Sequence, residues 1–187
     1  MQQSRPLRSD AVRRRDAVLD AAVKIFGELG IDAPLDLVAE RAGVGRATLY
    51  RSFPDREALL VAVLSRELEA LERLAESLGE RPDRVFDLLA ALAEQLVRTS
   101  AVADAMRRSR IDPAALGAIH ARLGEVFAAP MAAAQGAGLL RPDLGPADAV
   151  VIVRMLGGAL GGQAAPTPSA ARTLDLLLSG LRSGPRG

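Results

Sequence analysis

Between Gly43 and Pro54 the chain has room for about two turns of helix, and this window limits the fold more than any other stretch. It reads GVGRATLYRSFP. Pro54 has no amide hydrogen with which to continue a helix. Gly43 is free to take the left-handed backbone in which a chain leaves one helix and turns into the next. The spacing therefore predicts a short helix over 46–53. Ahead of it, Leu35, Val38, Ala39 and Ala42 recur at helical intervals behind Pro34, which suits a helix start and predicts a second short helix. Val18, Ala21, Ala22, Ile25 and Leu29 repeat the pattern and predict a first helix from about residue 13, stopped at Gly30. Three helices with a tight glycine turn before the last make a helix-turn-helix.

The third helix has a readable chemistry. At 100° per residue Leu49 and Phe53 share one face and are expected to anchor it, which leaves Ala47, Thr48, Tyr50 and Arg51 pointing outward and Arg46 in the first turn. In a recognition helix an arginine reaches guanine O6 and N7, hydroxyls and neighbouring cations grip phosphate oxygens, and a small residue allows close approach to a thymine methyl. An ordinary surface helix also carries two arginines and a tyrosine. The preceding helix, the turn and the charge of the N-terminus set this one apart. Residues 1–15 hold five arginines (Arg5, Arg8, Arg13, Arg14, Arg15) against one acid, Asp10, whereas residues 59–187 balance 14 basic with 14 acidic residues. A basic arm of residues 1–12 is expected to be disordered. On its own it is equally a solvated end; beside a helix-turn-helix it is placed to meet phosphates.

Composition narrows the class. The 187 residues, 49% hydrophobic and 25% charged, suffice for a real core in one or two domains. Aromatics make up 3%, so the core is aliphatic and alanine-rich, and the fold class is all-α. With no cysteine, disulfides and thiolate metal sites are excluded. The N-terminus lacks the apolar segment of a secretory signal, no run approaches the roughly 18 to 20 apolar residues of a membrane helix, and a cytoplasmic protein without membrane association is expected. No nucleophile–base spacing, metal cluster or phosphate-binding glycine loop is present in the sequence, and His120, the one histidine, has no evident partner. Neither an enzyme nor a cofactor or metal is expected. A sequence-tolerant architectural DNA binder is the alternative class, disfavoured by a net charge of +1.

The run DAAVKIFGELGIDAPLDLVAERAGVGRATLYRSFPDREALLVAVL resembles the N-terminal DNA-binding domain of the TetR family of bacterial regulators, over about residues 13–64. The resemblance joins an alanine-rich first helix with Phe, a G-V turn, T-L-Y and Phe, and a basic residue opening the fourth helix. It implies base-edge contacts for Arg46 and Ala47, phosphate contacts for Thr48 and Tyr50, a DNA-binding place for Arg56, which stands where a lysine is usual at the start of helix four, and a part in sequence preference for Arg51. Two positions depart from the family pattern. Ala33 and Pro34 stand where a capping Ser or Thr is usual, and Gly45 where a serine is common; a backbone N–H is expected to serve there instead.

The expected domains are the arm, a DNA-binding domain over 13–55 and a helical ligand-binding and dimerisation domain over 56–187. In the last, helices are expected over 56–78, 83–100, about 102–108, 113–136 (opened by Asp112-Pro113), 147–162 and 169–181. The resemblance implies a small-molecule effector pocket and a homodimer through the last two helices. Phe86, Gln95, Met106, His120, Phe127, Met131 and Met155 are candidate pocket walls, and each is also at home in an ordinary core or surface. GGALGG, residues 157–162, places four glycines in a helix, which suits close approach of a second backbone and equally suits a fraying end before Pro166. Gly157, Gly158 and Gly161 are the candidate dimer contacts, with Leu174, Leu177 and Leu178. The function this implies is a ligand-responsive transcriptional regulator, a repressor that binds double-stranded DNA at a near-palindromic operator as a dimer and is released by the effector.

Overall fold

The computed structural model describes residues 5–99, 101–102, 112–160 and 167–183. Its elements are all helical, apart from one isolated antiparallel bridge between Leu140 and Arg182: α1 Arg5–Leu29, α2 Leu35–Arg41, α3 Arg46–Ser52, α4 Arg56–Ser77, α5 Arg84–Arg98, α6 Pro113–Gly136, α7 Asp148–Leu160 and α8 Thr167–Leu181. The boundaries follow local chemistry. Gly30 and Gly43 take φ of 82° and 66° and close α1 and α2. The Asp55 side chain accepts from Ala58 N at 2.7 Å and caps α4, and Asp112 accepts from Ala114 N at 3.0 Å ahead of Pro113, which needs no donor in the first turn of α6. The expected short helix near 102–108 falls almost wholly outside the described residues.

One boundary corrects the sequence reading. Helix α1 begins at Arg5, ahead of the start near residue 13 that the helical spacing predicts. Pro6 sits in the first turn, where its missing donor costs nothing, and the residues that follow are mostly good helix formers. Asp10 then supports the helix by pairing with Arg13 and by accepting at its carbonyl from Arg14 Nε at 3.0 Å.

Two apolar cores fill the molecule. The first joins Val18, Leu19, Ala22, Ile25 and Phe26 of α1, Leu35 and Val38 of α2, Leu49 and Phe53 at α3, and Leu59, Leu60 and Val63 of α4. Val102, fully buried, inserts into this same core from beyond α5. The second core takes over at Leu68 and Leu71 of α4 and continues through Val85, Leu88 and Leu89 of α5, Leu123, Phe127 and Met131 of α6, Ile152 and Leu156 of α7 and Leu181 of α8. Helix α6 runs through buried Pro130 without a break, because Phe127, Met131 and Ala134 on either side stay packed. Leu174, Leu177 and Leu178 are half-buried against the second core and attach α8 to the body. Replacement of Leu60 by alanine is expected to destabilise the protein by about 2–5 kcal/mol. Leu64→Ala, half-buried on the same helix, should cost clearly less. Midpoints of urea unfolding followed by circular dichroism check both, and equal losses would contradict the burial described.

Candidate nucleic-acid interface

The turn between α2 and α3 is built from backbone bonds. Gly43 N donates to Glu40 O at 3.1 Å and Val44 N to Ala39 O at 3.0 Å, which satisfies the last carbonyls of α2 and turns the chain. Val44 then packs on the first core. Gly45 caps α3 with extended backbone and no side-chain bond; its carbonyl accepts from Thr48 N and Leu49 N. Pro34 likewise opens α2 without a side-chain cap. At the far end Phe53 takes the extended conformation that a residue before proline prefers.

Leu49 and Phe53 are 1% and 2% exposed, as the helical spacing requires, and hold α3 against the core. Arg46, Ala47, Tyr50 and Arg51 lie on its exposed side. Thr48 is half-buried rather than free, and its Oγ1 accepts from Arg51 Nη2 at 3.2 Å. Arg51 also donates from Nε to Ala47 O at 3.1 Å, so its side chain lies back along its own helix. Arg46 forms an ion pair with Asp36 of α2 at 3.0 Å.

Two cations of the N-terminal arginine run lie beside α3. Arg14 and Arg15 of α1 border a cleft of about 250 Å³ whose other wall carries Thr48, Arg51 and Ser52, and the Arg15 guanidinium lies 5.0 Å over the Phe53 ring. The signal in the sequence was the arginine run itself; the packing of α1 decided that it lies beside the end of α3. Arg14, Arg15 and Arg51 thus share one cleft, and Arg46, paired with Asp36, opens the same helix α3.

Arg56 is placed differently from the expectation. It is half-buried, donates to the carbonyls of Ile31 and Ala33, the latter at 2.9 Å, and stacks over the Phe26 ring at 5.5 Å. Its guanidinium therefore ties the start of α4 to the loop ahead of α2, because those two carbonyls end no regular ladder and lie within reach. A second tie joins the ends of α1 and α2, where Arg41 donates twice to the Glu28 carboxylate at 2.9 and 2.8 Å.

The candidate pocket residues do not converge. Phe86, Phe127 and Met131 share the packed second core, and Gln95 is buried with its amide donating to Glu67 O at 3.2 Å. His120 is half-buried on α6. Met155 is 57% exposed, since Ala149, Ile152 and Leu156 occupy the inner face of α7 and leave Val151 and Met155 on the outer one. Met106 lies outside the described residues. A cleft of about 620 Å³ at the α4–α5 loop and the chain's end is lined by Phe86 from this set, with Arg81, Asp87, Leu139 and Arg182 among its other walls. Of the candidate dimer residues, Gly157 is buried within the body, Gly158 lies in α7 and Gly161 is outside the described residues. No described helix is long and apolar enough to cross a membrane, and no cluster of metal-ligating side chains occurs among the described residues.

Comparison with known proteins decides the family. Residues 18–63 match the model of bacterial regulatory proteins of the tetR family, and residues 82–183 match that of the SbtR-like transcriptional regulator C-terminal domain. The chain belongs to the TetR family of transcriptional regulators. It is 32% identical to a solved TetR regulatory protein from Mycobacterium vanbaalenii, with a TM-score of 0.63 and coverage of 95% of this chain and 99% of that one. The TetR regulator SCO0520 of Streptomyces coelicolor is similar at 31% identity, TM-score 0.61, covering 90% and 98%. Among characterised relatives, the transcriptional repressor KstR of Mycolicibacterium smegmatis is 36% identical over 121 residues, 60% of this chain and 59% of that protein, and KstR of Rhodococcus jostii is 34% identical over 99 residues, 51% and 47%. The chain thus matches about half the length of these two repressors. A TetR-family regulator acts by binding, and no catalytic step is assigned to this chain.

The Glu28–Arg41 tie has a pH signature. The Arg41 guanidinium holds the Glu28 carboxyl below its ordinary value, chiefly through the hydrogen bonds. A depressed carboxylate contributes stability that is present above its unfolded value and lost as pH falls through its folded one. Carbon-detected NMR titration should place Glu28 below the usual carboxylate range, and Arg41→Gln should bring it back up.

Proposed function

We propose that this chain is a site-specific DNA-binding regulator that acts as a homodimer and releases a near-palindromic operator when a small molecule binds its C-terminal domain. What carries the reading is the α2–turn–α3 unit: α3 is pinned by Leu49 and Phe53 and turns Arg46, Ala47, Tyr50 and Arg51 outward. In the major groove Arg46 and Ala47 meet base edges, Gly45 offers its backbone N–H to a phosphate, and Thr48, Tyr50, Arg14 and Arg15 grip the backbone on either side. Arg56 acts indirectly, by fixing the α1–α2 loop. An architectural binder fits less well, because the excess of positive charge sits at the N-terminal end of a chain whose net charge is only +1.

Pairing of two copies is supported by the outer sides of the last helices. Val151 and Met155 on α7 and Leu176 on α8 are 50%, 57% and 56% exposed, apolar side chains on the outer sides of the two helices, beyond the half-buried Leu174, Leu177 and Leu178. A dimer through these two helices sets two recognition helices about 34–36 Å apart, one turn of DNA. The effector is a neutral or weakly polar molecule, since the second core around Phe86, Phe127 and Met131 supplies apolar walls and, among the described residues, no buried charge.

Fragments of source-genome DNA selected by the protein and footprinted should reveal a paired half-site; recovery of fragments without a common sequence would favour the architectural class. On the selected site Arg46→Ala is expected to cost about 1–3 kcal/mol of binding, and much less on random DNA. Tyr50→Phe should weaken both alike. For assembly, Met155→Glu with Leu176→Glu should give a monomer by light scattering at micromolar concentration, with operator affinity reduced. A doubly substituted protein that stays dimeric removes α7 and α8 from the interface.

A further inference from the structure

Asp36 puts a negative charge on the face that is to approach a polyanion. It lies in the first turn of α2, its side chain is 35% exposed, and its Oδ2 is 3.0 Å from Nη1 of Arg46, whose own side chain is 74% exposed. An exposed ion pair of this kind adds little to folding stability. Nor do α2 and α3 need it, because Leu35, Val38, Ala39 and Leu49 are each buried in the common core. The carboxylate also repels every phosphate that comes near it, whatever the sequence. Its consequence must therefore be sought in what it does to Arg46.

A guanidinium has two faces suited to two-point bonding: the edge between its two terminal nitrogens and the edge formed by Nε with Nη2. A carboxylate oxygen at Nη1 engages one of the two nitrogens of the first edge and leaves the second edge whole. Guanine offers O6 and N7 side by side and accepts from such an edge with both donors, whereas a phosphate is an isotropic target that takes a guanidinium from many directions. An arginine already paired through Nη1 has lost much of its reason to move to a phosphate. It keeps its geometry for guanine, and less rotamer freedom remains to be lost on binding.

We propose that Asp36 is a specificity-determining residue: by holding Nη1 of Arg46 it withdraws that arginine from phosphates on random DNA and presents its Nε–Nη2 edge to a guanine. This rests on the assignment of Arg46 to base reading. It adds that the discrimination resides in the Asp36–Arg46 pair and that Asp36 lowers affinity for wrong DNA more than for right DNA.

The test measures binding of the full-length protein to a duplex selected from the source genome and to a shuffled duplex of the same composition, across a range of salt. Asp36→Asn should raise affinity for the shuffled duplex by about three- to tenfold and steepen its log–log salt dependence by about one unit, one additional phosphate contact. Affinity for the selected duplex should stay within about twofold, so the discrimination ratio falls. Asp36→Glu, which keeps the charge, should retain most of the ratio, and thermal unfolding by circular dichroism certifies each variant as folded. In an Arg46→Ala background Asp36→Asn should leave the ratio unchanged, since the pair no longer exists. If Asp36→Asn strengthens both duplexes equally in the native background, Asp36 is a general repulsive charge and the proposal is overturned while base reading by Arg46 stands. If Arg46→Ala alone leaves the ratio intact, base reading itself falls and this proposal with it.

Discussion

Helix α4 lies in both cores, and the rest of the molecule is organised around that fact. Leu59, Leu60 and Val63 belong to the core beneath the recognition helix, whereas Leu68 and Leu71 belong to the core of the body. A helix of 22 residues spans about 33 Å and bends little, so a change in its direction at one end is felt at the other. Between the two apolar segments lies a polar waist. Arg66 donates to Asp20 and to the Asp16 carbonyl of α1, and the Glu67 carboxylate and carbonyl receive Arg98 and Gln95 of α5. Arg122 of α6 grips Glu72 one turn further on with two nitrogens. Polar ties of this kind have few alternative partners when half-buried, so they define the angle between the DNA-binding unit and the body more sharply than apolar contact would. Val102 strengthens the connection by entering the first core from beyond the second.

In the proposed binding mode the face around α3 works by local concentration of charge. A chain of net charge +1 has almost no long-range attraction for DNA, yet Arg14, Arg15 and Arg51 border one cleft and Arg46 is exposed in the first turn of α3. At physiological salt the Debye length is about 8 Å, so DNA brought to this face would meet this local group and not the total. Several of these side chains are already committed in the free protein, Arg51 to Ala47 O and Thr48, Arg15 to the Phe53 ring, Arg46 to Asp36. Such commitments limit rotamer freedom and so reduce the entropy lost when DNA binds.

The sequence by itself determined the elements bounded by residues with strong backbone preferences. Pro34, Gly43 and Pro54 framed α2 and α3, and Asp112-Pro113 opened α6, because each acts through its own dihedral angles or a donor it lacks or caps. Leu49 and Phe53 were legible as anchors for the same local reason, a period of 3.6 residues. The tertiary structure alone decided where long side chains end. The Arg56 guanidinium went to carbonyls 25 and 23 residues away, Arg15 came to rest on Phe53, and Asp36 met Arg46 across the turn. Met155, apolar and at helical spacing, was indistinguishable in sequence from an inner residue until the packing of Ile152 and Leu156 fixed which face of α7 turned inward. Local rules end at the backbone because a flexible arginine or methionine reaches about 6 Å or more, and its partner is chosen by which helices the two cores bring alongside.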